Sequence, residues 1–409
     1  MDKGGPDGVA GCAAVRTRPA AALTPALTPA LAATLAAALA AAALAACTVE
    51  GSGTPEPAAV GSTAAAPPAR APSRAATTTP SAGPPAVTLA FSGDMLVSDE
   101  LRARAARNAG GDGHDFEPML REIAPVLRSA DWAVCHQETP ISADNSALSG
   151  WPSFNAPREL AAAERAAGYD ACSTASNHTV DKGATGVRST LDVLDRAGIR
   201  HTGSARSAAE AGRLTVYEVK GVRIGHSSYT YGTNGIAPPS RWSVNLIDPA
   251  RIRADAGRLR RAGADFVVVS LHFGTEKAPE PSGYQRDVAD QVLRSGDVDL
   301  VIGHHAHVVQ PIQRRPDGRW VVYGLGNLLA QQALMPGEGT APPHRDGVVV
   351  LVDIAAGPSG RYAVSRMGYV PTFVDAPSDV VRLAPPLSRR RTSRTLGSLG
   401  APLTDLTPG

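Results

Sequence analysis

Aromatic side chains are scarce in this chain, 4% of 409 residues, which excludes a core built on stacked rings. Hydrophobic residues reach 43%, but much of that is alanine. The interior must therefore come from Val, Leu, Ile and Ala layers, as in helices packed on sheets. Net charge is close to absent, a formal +2, and no stripe of Lys and Arg is interleaved with aromatics, so a nucleic-acid partner is set aside. Cysteine is limited to Cys12, Cys47, Cys135 and Cys172, with no Cys-x-x-Cys pair and no zinc-ribbon spacing. Cys135 and Cys172 each sit in a short apolar run that reads as a buried strand, so inert core thiols are expected. A disulfide between them requires an oxidising compartment and a Cα approach that sequence does not supply. No Gly-x-Ser-x-Gly elbow occurs, which leaves a serine hydrolase without support.

The chain does contain two ends that read as lying outside a fold. Arg16 and Arg18 flank an Ala/Leu segment, densest from Leu31 to Ala46, that ends in Leu44-Ala45-Ala46-Cys47. A positive flank, an apolar stretch and small residues at the cut site make residues 1–47 an export signal. The order Leu-Ala-Ala-Cys resembles the bacterial lipobox, which implies cleavage before Cys47 and a lipid thioether on its sulfur. That places the protein outside the cytoplasm, anchored to the cell membrane as a lipoprotein. The apolar run is also long enough for an uncleaved membrane helix, although Thr48, Val49, Glu50 and Gly51 form no stop-transfer flank. Residues 48–86 are rich in Pro, Ala, Ser and Thr and bury too little to offset ordering entropy, so a disordered tether is expected. Residues 379–409 carry Pro385-Pro386 and Arg389-Arg390-Arg391 without a convincing period; a mostly unstructured tail is expected there.

Between these ends, residues 87–378 alternate. Strand-like runs are Val87–Phe91, Trp132–Cys135, Ala171–Thr174, Leu214–Val219, Val222–His226, Phe266–Leu271, Leu300–Ile302, Val321–Tyr323 and Val348–Ile354. Helix-like segments are Phe116–Arg128, one opened by Pro157 and closed by Gly168, Thr185–Ala197, Ile252–Ala262 and Tyr284–Ser295. This regularity predicts a layered α/β fold.

The polar residues that carry chemistry follow strand-like runs, where α/β folds build their sites. They are Asp94, then Glu138, then Asn177-His178 with Asp181, then His272 with Glu276, then His304-His305-Ala306-His307. A mixture of carboxylate, amide and imidazole donors suits Mn, Fe or Zn better than calcium, which prefers oxygen alone. His136 lies two residues before Glu138 on one strand face; a packed or solvated histidine is expected, with an approach to the site beside Glu138 as the alternative. Tyr229, Tyr231 and Asn234 either line the pocket or pack as a loop.

The ordered motifs resemble the metallophosphoesterases, and their wording is similar to the CapA family associated with poly-γ-glutamate capsule synthesis. Matching words are Gly93-Asp94, Glu138-Thr139-Pro140, Asn177-His178 with Asp181 and Gly183, and His272-x-Gly274-x-Glu276. His305-x-His307 with Gln310 and Gly324-Leu325-Gly326-Asn327 complete them. The resemblance implies an αββα sandwich holding two divalent ions. It gives Asp94 and His307 to one ion, Asn177, His272 and His305 to the other, and Glu138 to both as a bridge. His178 becomes a general acid at a leaving oxygen, with Asp181 and Glu276 orienting imidazoles or substrate beside it. One departure stands out: Asp94 is followed by Met95 and Leu96, where phosphoesterases usually place a histidine two residues on, which leaves one ion a ligand short. The expected function is a metal-dependent hydrolase or transferase acting on a phosphoester or an anionic envelope polymer, alongside other capsule-synthesis proteins. A non-catalytic polyanion-binding part of an assembly or export complex is the alternative.

Overall fold

The computed structural model describes residues 86–331, 342–376 and 378–408. The expected export signal with Cys47, and the tether up to residue 85, lie outside the described residues. The chain first lays down β1 (Val87–Leu96), α1 (Asp99–Asn108), α2 (Glu117–Leu120), α3 (Ala124–Arg128), β2 (Trp132–Gln137), α4 (Glu159–Ala167), β3 (Ala171–Ser173), α5 (Gly183–Arg196) and β4 (Arg200–Thr202). It continues through α6 (Ala208–Ala211), β5 (Val216–Val219), β6 (Val222–Thr230), α7 (Pro249–Arg261), β7 (Phe266–His272), α8 (Gly283–Leu293), β8 (Leu300–His304), β9 (Ile312–Arg314) and β10 (Trp320–Val322). Last come β11 (Asn327–Ala330), β12 (Asp346–Ala356), β13 (Tyr362–Val374), β14 (Val381–Leu383), α9 (Pro386–Leu396) and β15 (Leu403–Asp405).

Two sheets result. The first runs β14-β13-β12-β1-β2-β3-β4, with β1 to β4 parallel, β11 beside β1 and β15 beside β13. The second runs β5-β6-β7-β8-β10-β9, with β6, β7, β8 and β10 parallel. Side chains two apart on a strand share a face, and the apolar runs split accordingly. Leu89, Phe91 and Val134 meet Ile224, Val268 and Ile302 between the sheets. The intervening Ala90, Ala133 and Cys135 face Leu101, Met119 and Leu160 on the helices of the first sheet. Val267, Val269 and Val301 face Ile252, Leu259 and Val292 of α7 and α8. The layers are therefore helix, sheet, sheet, helix.

Three expectations require correction. The segment Phe116–Arg128 is two short helices, because Pro125 has no N–H to donate and its ring blocks a continuous turn. Residues 379–409 are ordered wherever described: β14 and β15 pair with β13, and α9 buries Ser388, Thr392 and Leu396. That stripe has helical spacing, but two of its three members are hydroxyls, so no apolar period marks it in the sequence. Pro386 sits in the first turn of α9, where a missing N–H costs nothing. Finally, Cys135 and Cys172 are not separate thiols. They are register partners on β2 and β3, with Cα atoms 4.5 Å apart, and are joined as a disulfide.

Glu164 of α4 is buried against that disulfide, with a carboxylate oxygen within 4.8 Å of both sulfurs and no hydrogen-bond partner for either oxygen. Burial pushes its carboxyl up to about 8 from an ordinary 4.5. The native state thus binds a proton that the unfolded state has lost between these two values, so stability falls as pH rises from 4.5 to 8 and levels off above. Glu164→Gln removes this penalty. Thermal melts should show the variant more stable above that window by on the order of 5 kcal/mol, converging with wild type below it. Melts that stay parallel throughout would contradict the assignment.

Candidate metal centre

The carboxyl ends of β1, β2, β7 and β8 and the loop after β3 meet at one rim, as parallel strands of two facing sheets require. Asp94 near the end of β1 is wholly buried. Its Oδ1 accepts from His304 Nδ1 at 3.1 Å, and its Oδ2 accepts from the His305 amide at 3.0 Å and lies 3.3 Å from His307 Nδ1. His305 and His307 reach these positions with φ of +88° and +54°, left-handed backbone that side-chain-bearing residues seldom adopt and that concentrates at functional sites. Gly93 is required for close approach: a Cβ there would lie 2.1 Å from the Gly326 carbonyl oxygen. Asn327, the last residue of the Gly324–Asn327 motif, accepts from His307 Nδ1 at 2.9 Å.

Glu138 follows β2 and is buried with both carboxylate oxygens lacking any hydrogen-bond partner. Its Oε1 stands 3.7 Å from His307 Nε2 and 3.9 Å from His272 Nε2. His272 Nε2 also lies 2.8 Å from Asn177 Oδ1, and the His272 and His305 rings are 4.7 Å apart. Asp94, Glu138 and His307 each offer one atom within a mutual 4.8 Å, as do Glu276, His305 and His307. All six expected ligands therefore converge.

Electrostatics fit a cation. Burial would raise the Asp94 carboxyl, but hydrogen bonds from His304 and His307 outweigh it and hold it well below the usual carboxylate range. Burial pushes Glu138 well above that range. Burial would also depress His307, yet the Glu138 charge and the Asp94 hydrogen bond push it up to about 10. Glu138 and His307 titrate as one unit; the direction that holds for the unit is retention of a proton at neutral pH, since ionised Asp94 lies beside it. Burial pushes His305 down to about 4 and His272 well below its usual range, next to the other imidazoles. Neutral imidazoles, an ionised carboxylate and a second carboxylate with no partner form a donor set suited to a divalent metal.

His178 lies just off this cluster. Asp181 Oδ2 accepts from His178 Nδ1 at 2.8 Å and from the Phe154 amide at 2.8 Å, and the Phe154 ring meets the imidazole edge-on. His178, His307, Glu276 and Lys277 line a cavity of about 430 Å³ whose rim includes Trp151, 81% exposed. Glu276 is exposed rather than packed within the centre. Tyr231 tilts over His305 with ring centres 4.7 Å apart, and Asn234 accepts from the Asn177 amide at 3.2 Å, so both belong to the site. Tyr229 does not: it is buried with its hydroxyl donating to Asp255.

Residues 88–332 match a family described as "Bacterial capsule synthesis protein PGA_cap", and the chain belongs to that family. It is 26% identical over 255 residues to "Capsule biosynthesis protein CapA" of Bacillus anthracis, a match spanning 60% of this chain and 60% of that protein. It is 23% identical over 284 residues to "PGA biosynthesis protein CapA" of Bacillus subtilis, covering 68% and 70% respectively. Among solved structures, the calcineurin-like phosphoesterase YfkN of Bacillus subtilis overlays with a TM-score of 0.42 at 14% identity, over 78% of this chain and 100% of that one.

His136 and His304 are the site residues that the motifs did not assign. His136 Nδ1 meets Ser173 Oγ at 2.8 Å and its Nε2 meets His272 Nδ1 at 2.8 Å, while its ring stacks on His304 at 3.9 Å. With His272 Nε2 turned toward Glu138 and Asn177, the ligating tautomer keeps its proton on Nδ1, where His136 Nε2 accepts it. The signal was the shared strand face with Glu138. His136→Ala is expected to weaken manganese binding by roughly 10–100-fold, read by calorimetric titration with folding checked by circular dichroism. Unchanged affinity would remove His136 from this role.

Proposed function

We propose that the protein is an exported, lipid-anchored, metal-dependent hydrolase or transferase of envelope-polymer synthesis. Its substrate is a phosphoester, or an amide in a glutamate polymer or cell-wall peptide, presented by an anionic capsule precursor. The observation that carries the reading is Glu138: a buried carboxylate with two unpartnered oxygens, ringed by imidazoles, is costly unless a cation shares it. The names of the relatives, which concern capsule and PGA biosynthesis, support the substrate class. The lipid anchor rests on the Leu44–Cys47 motif.

Asp94 and His307 would hold one ion and Asn177, His272 and His305 a second, with the Glu138 carboxylate available to both. When bound, a divalent pair of the Mn, Fe or Zn class supplies Lewis acidity and makes water acidic enough to react near neutral pH. Asn327 and His136 orient the His307 and His272 rings through their Nδ1 atoms. His178 hands a proton from Nε2 to the leaving oxygen, while Asp181 accepts from Nδ1, fixes the ring and balances the charge of the imidazolium. Phe154 covers one edge of that imidazole and keeps water from it. Glu276, exposed on the cavity wall with a carboxylate oxygen within 4.8 Å of a ring nitrogen of His305 and of His307, orients these imidazoles or the substrate.

The test uses purified protein dialysed against manganese, with elemental analysis and hydrolysis of bis(p-nitrophenyl) phosphate. Wild type should retain roughly two ions per chain, and Glu138→Ala should lose most of them. His178→Ala should keep its metal and lose about 10²–10⁴-fold in kcat. A wild-type protein that retains no metal defeats the reading. Full turnover in His178→Ala defeats the catalytic half of it and favours a polyanion-binding component without chemistry.

A further inference from the structure

The cavity beside His178 has a neighbour. A second cavity, of about 320 Å³, is lined by Lys277, Val308, Val309, Asp346, Arg391 and Arg394, among others. Lys277 lines both cavities. His307 faces the first, and the residues that follow it, Val308 and Val309, face the second. The two spaces are therefore consecutive along one wall, divided at Lys277 and the loop 305–309.

Their charges differ. The first cavity carries three carboxylates, Asp99, Glu100 and Glu276, against one lysine. In the second, the lone carboxylate, Asp346, is already held by Arg391, with Nε and Nη2 both 2.5 Å from Oδ2. That leaves Lys277 and Arg394, exposed side chains with no ion-pair or hydrogen-bond partner among the described residues. Arg390 precedes Arg394 by four residues on α9, which places both on one face of the helix and extends the positive surface beyond the cavity. Unpaired cations converging from a loop and from a separate helix favour an anion at that spot. The apolar Val308 and Val309 suit the methylene pairs between the amides of a γ-linked glutamate backbone.

We infer that this cavity is an anion subsite which grips a carboxylate of a polymeric substrate while the adjoining unit of the same chain lies at the metal centre. The inference deepens the proposed function and depends on it for the reaction, but not for the binding. Arg394 and Lys277 pair with the carboxylate, and Arg390 meets the next one along the polymer. The ligand class is a chain with repeated carboxylates at close spacing; a neutral chain gains nothing here.

The probe is a short, fluorescently labelled γ-linked glutamate oligomer, with the same γ-linked oligomer carrying α-carboxamides as its neutral counterpart, measured by anisotropy on the manganese-loaded full chain. Wild type should bind the carboxylate oligomer and not the carboxamide one, and added salt should weaken the binding. Arg394→Ala and Lys277→Ala should each weaken it roughly tenfold. Arg394→Lys should restore most of the affinity, and Arg196→Ala, which removes an exposed charge on α5, should leave it unchanged. Circular dichroism confirms that each variant is folded. Equal affinity in wild type and Arg394→Ala, or no binding by wild type, overturns the subsite. Manganese content of the same samples keeps the two readings apart: oligomer binding by a chain that holds no manganese sinks the metal centre and leaves the subsite standing.

Discussion

Asp94 ties the two sheets together. It belongs to the first sheet, yet both its oxygens are held from the second, by the ring of His304 at the end of β8 and by the backbone and ring of the loop that follows. Among the described residues these groups compensate the buried carboxylate, and the left-handed backbone at His305 and His307 is the conformational cost of the curl that brings loop 304–307 back onto it. That curl aims His305 and His307 at Glu138. One carboxylate therefore sets the relative position of the rims and the direction of two imidazoles, and the remaining geometry follows from strand ends.

Alone, the protein leaves this centre electrically incomplete. Two carboxylates and several imidazoles share a dry volume in which Glu138 has no donor at all. The proton retained by the Glu138–His307 unit occupies the role of a missing positive charge. A shared divalent cation would neutralise both carboxylates and use the imidazole lone pairs that burial keeps free of protons. Binding free energy at such a centre adds to folding free energy, because the unfolded chain has no preformed site. The backbone strain, the Asp94 clamp and the unpartnered Glu138 are thus parts of one arrangement rather than three separate defects.

Much of this was legible in the sequence because strands buried on both faces write continuous apolar runs and their polar punctuation falls at the rim. Asp94, Glu138, His272 and His305 all stand at or just past the ends of such runs, and the structure gathers them. The remainder was hidden for identifiable reasons. His304 stood among the polar residues after the Leu300–Ile302 run without a role of its own, and the stacking on His136 and the bond to Asp94 supply it. The pairing of Cys135 with Cys172 depends on the register between β2 and β3, which neither run specifies by itself. Helix α9 was invisible because it packs through Ser388 and Thr392, whose hydroxyls carry no hydrophobic period. The long strand β13 gave no signal either: Ser365 and Arg366 interrupt its alternation, at the place where its pairing with β12 shifts register.

That hidden helix bears on why the chain does not stop at β13. Packing of α9 against the sheets contributes little apolar burial, with Leu396 its one large buried side chain. Its position is held instead by polar pairs, Arg391 with Asp346 and Arg389 with Asp405, and by the strands on either side of it. The exposed Arg389–Asp405 pair stabilises weakly, and the Arg391–Asp346 pair offsets the cost of burying Asp346, so a helix selected for stability alone would be expected to carry a broader apolar stripe. What α9 supplies in quantity is positive charge, the four arginines Arg389, Arg390, Arg391 and Arg394; two of these, Arg389 and Arg391, are spent on carboxylates of the same chain, and Arg390 and Arg394 are left exposed. The division of labour is physical: one pair of arginines seats the helix, and the other sets the sign of the surface next to the metal centre.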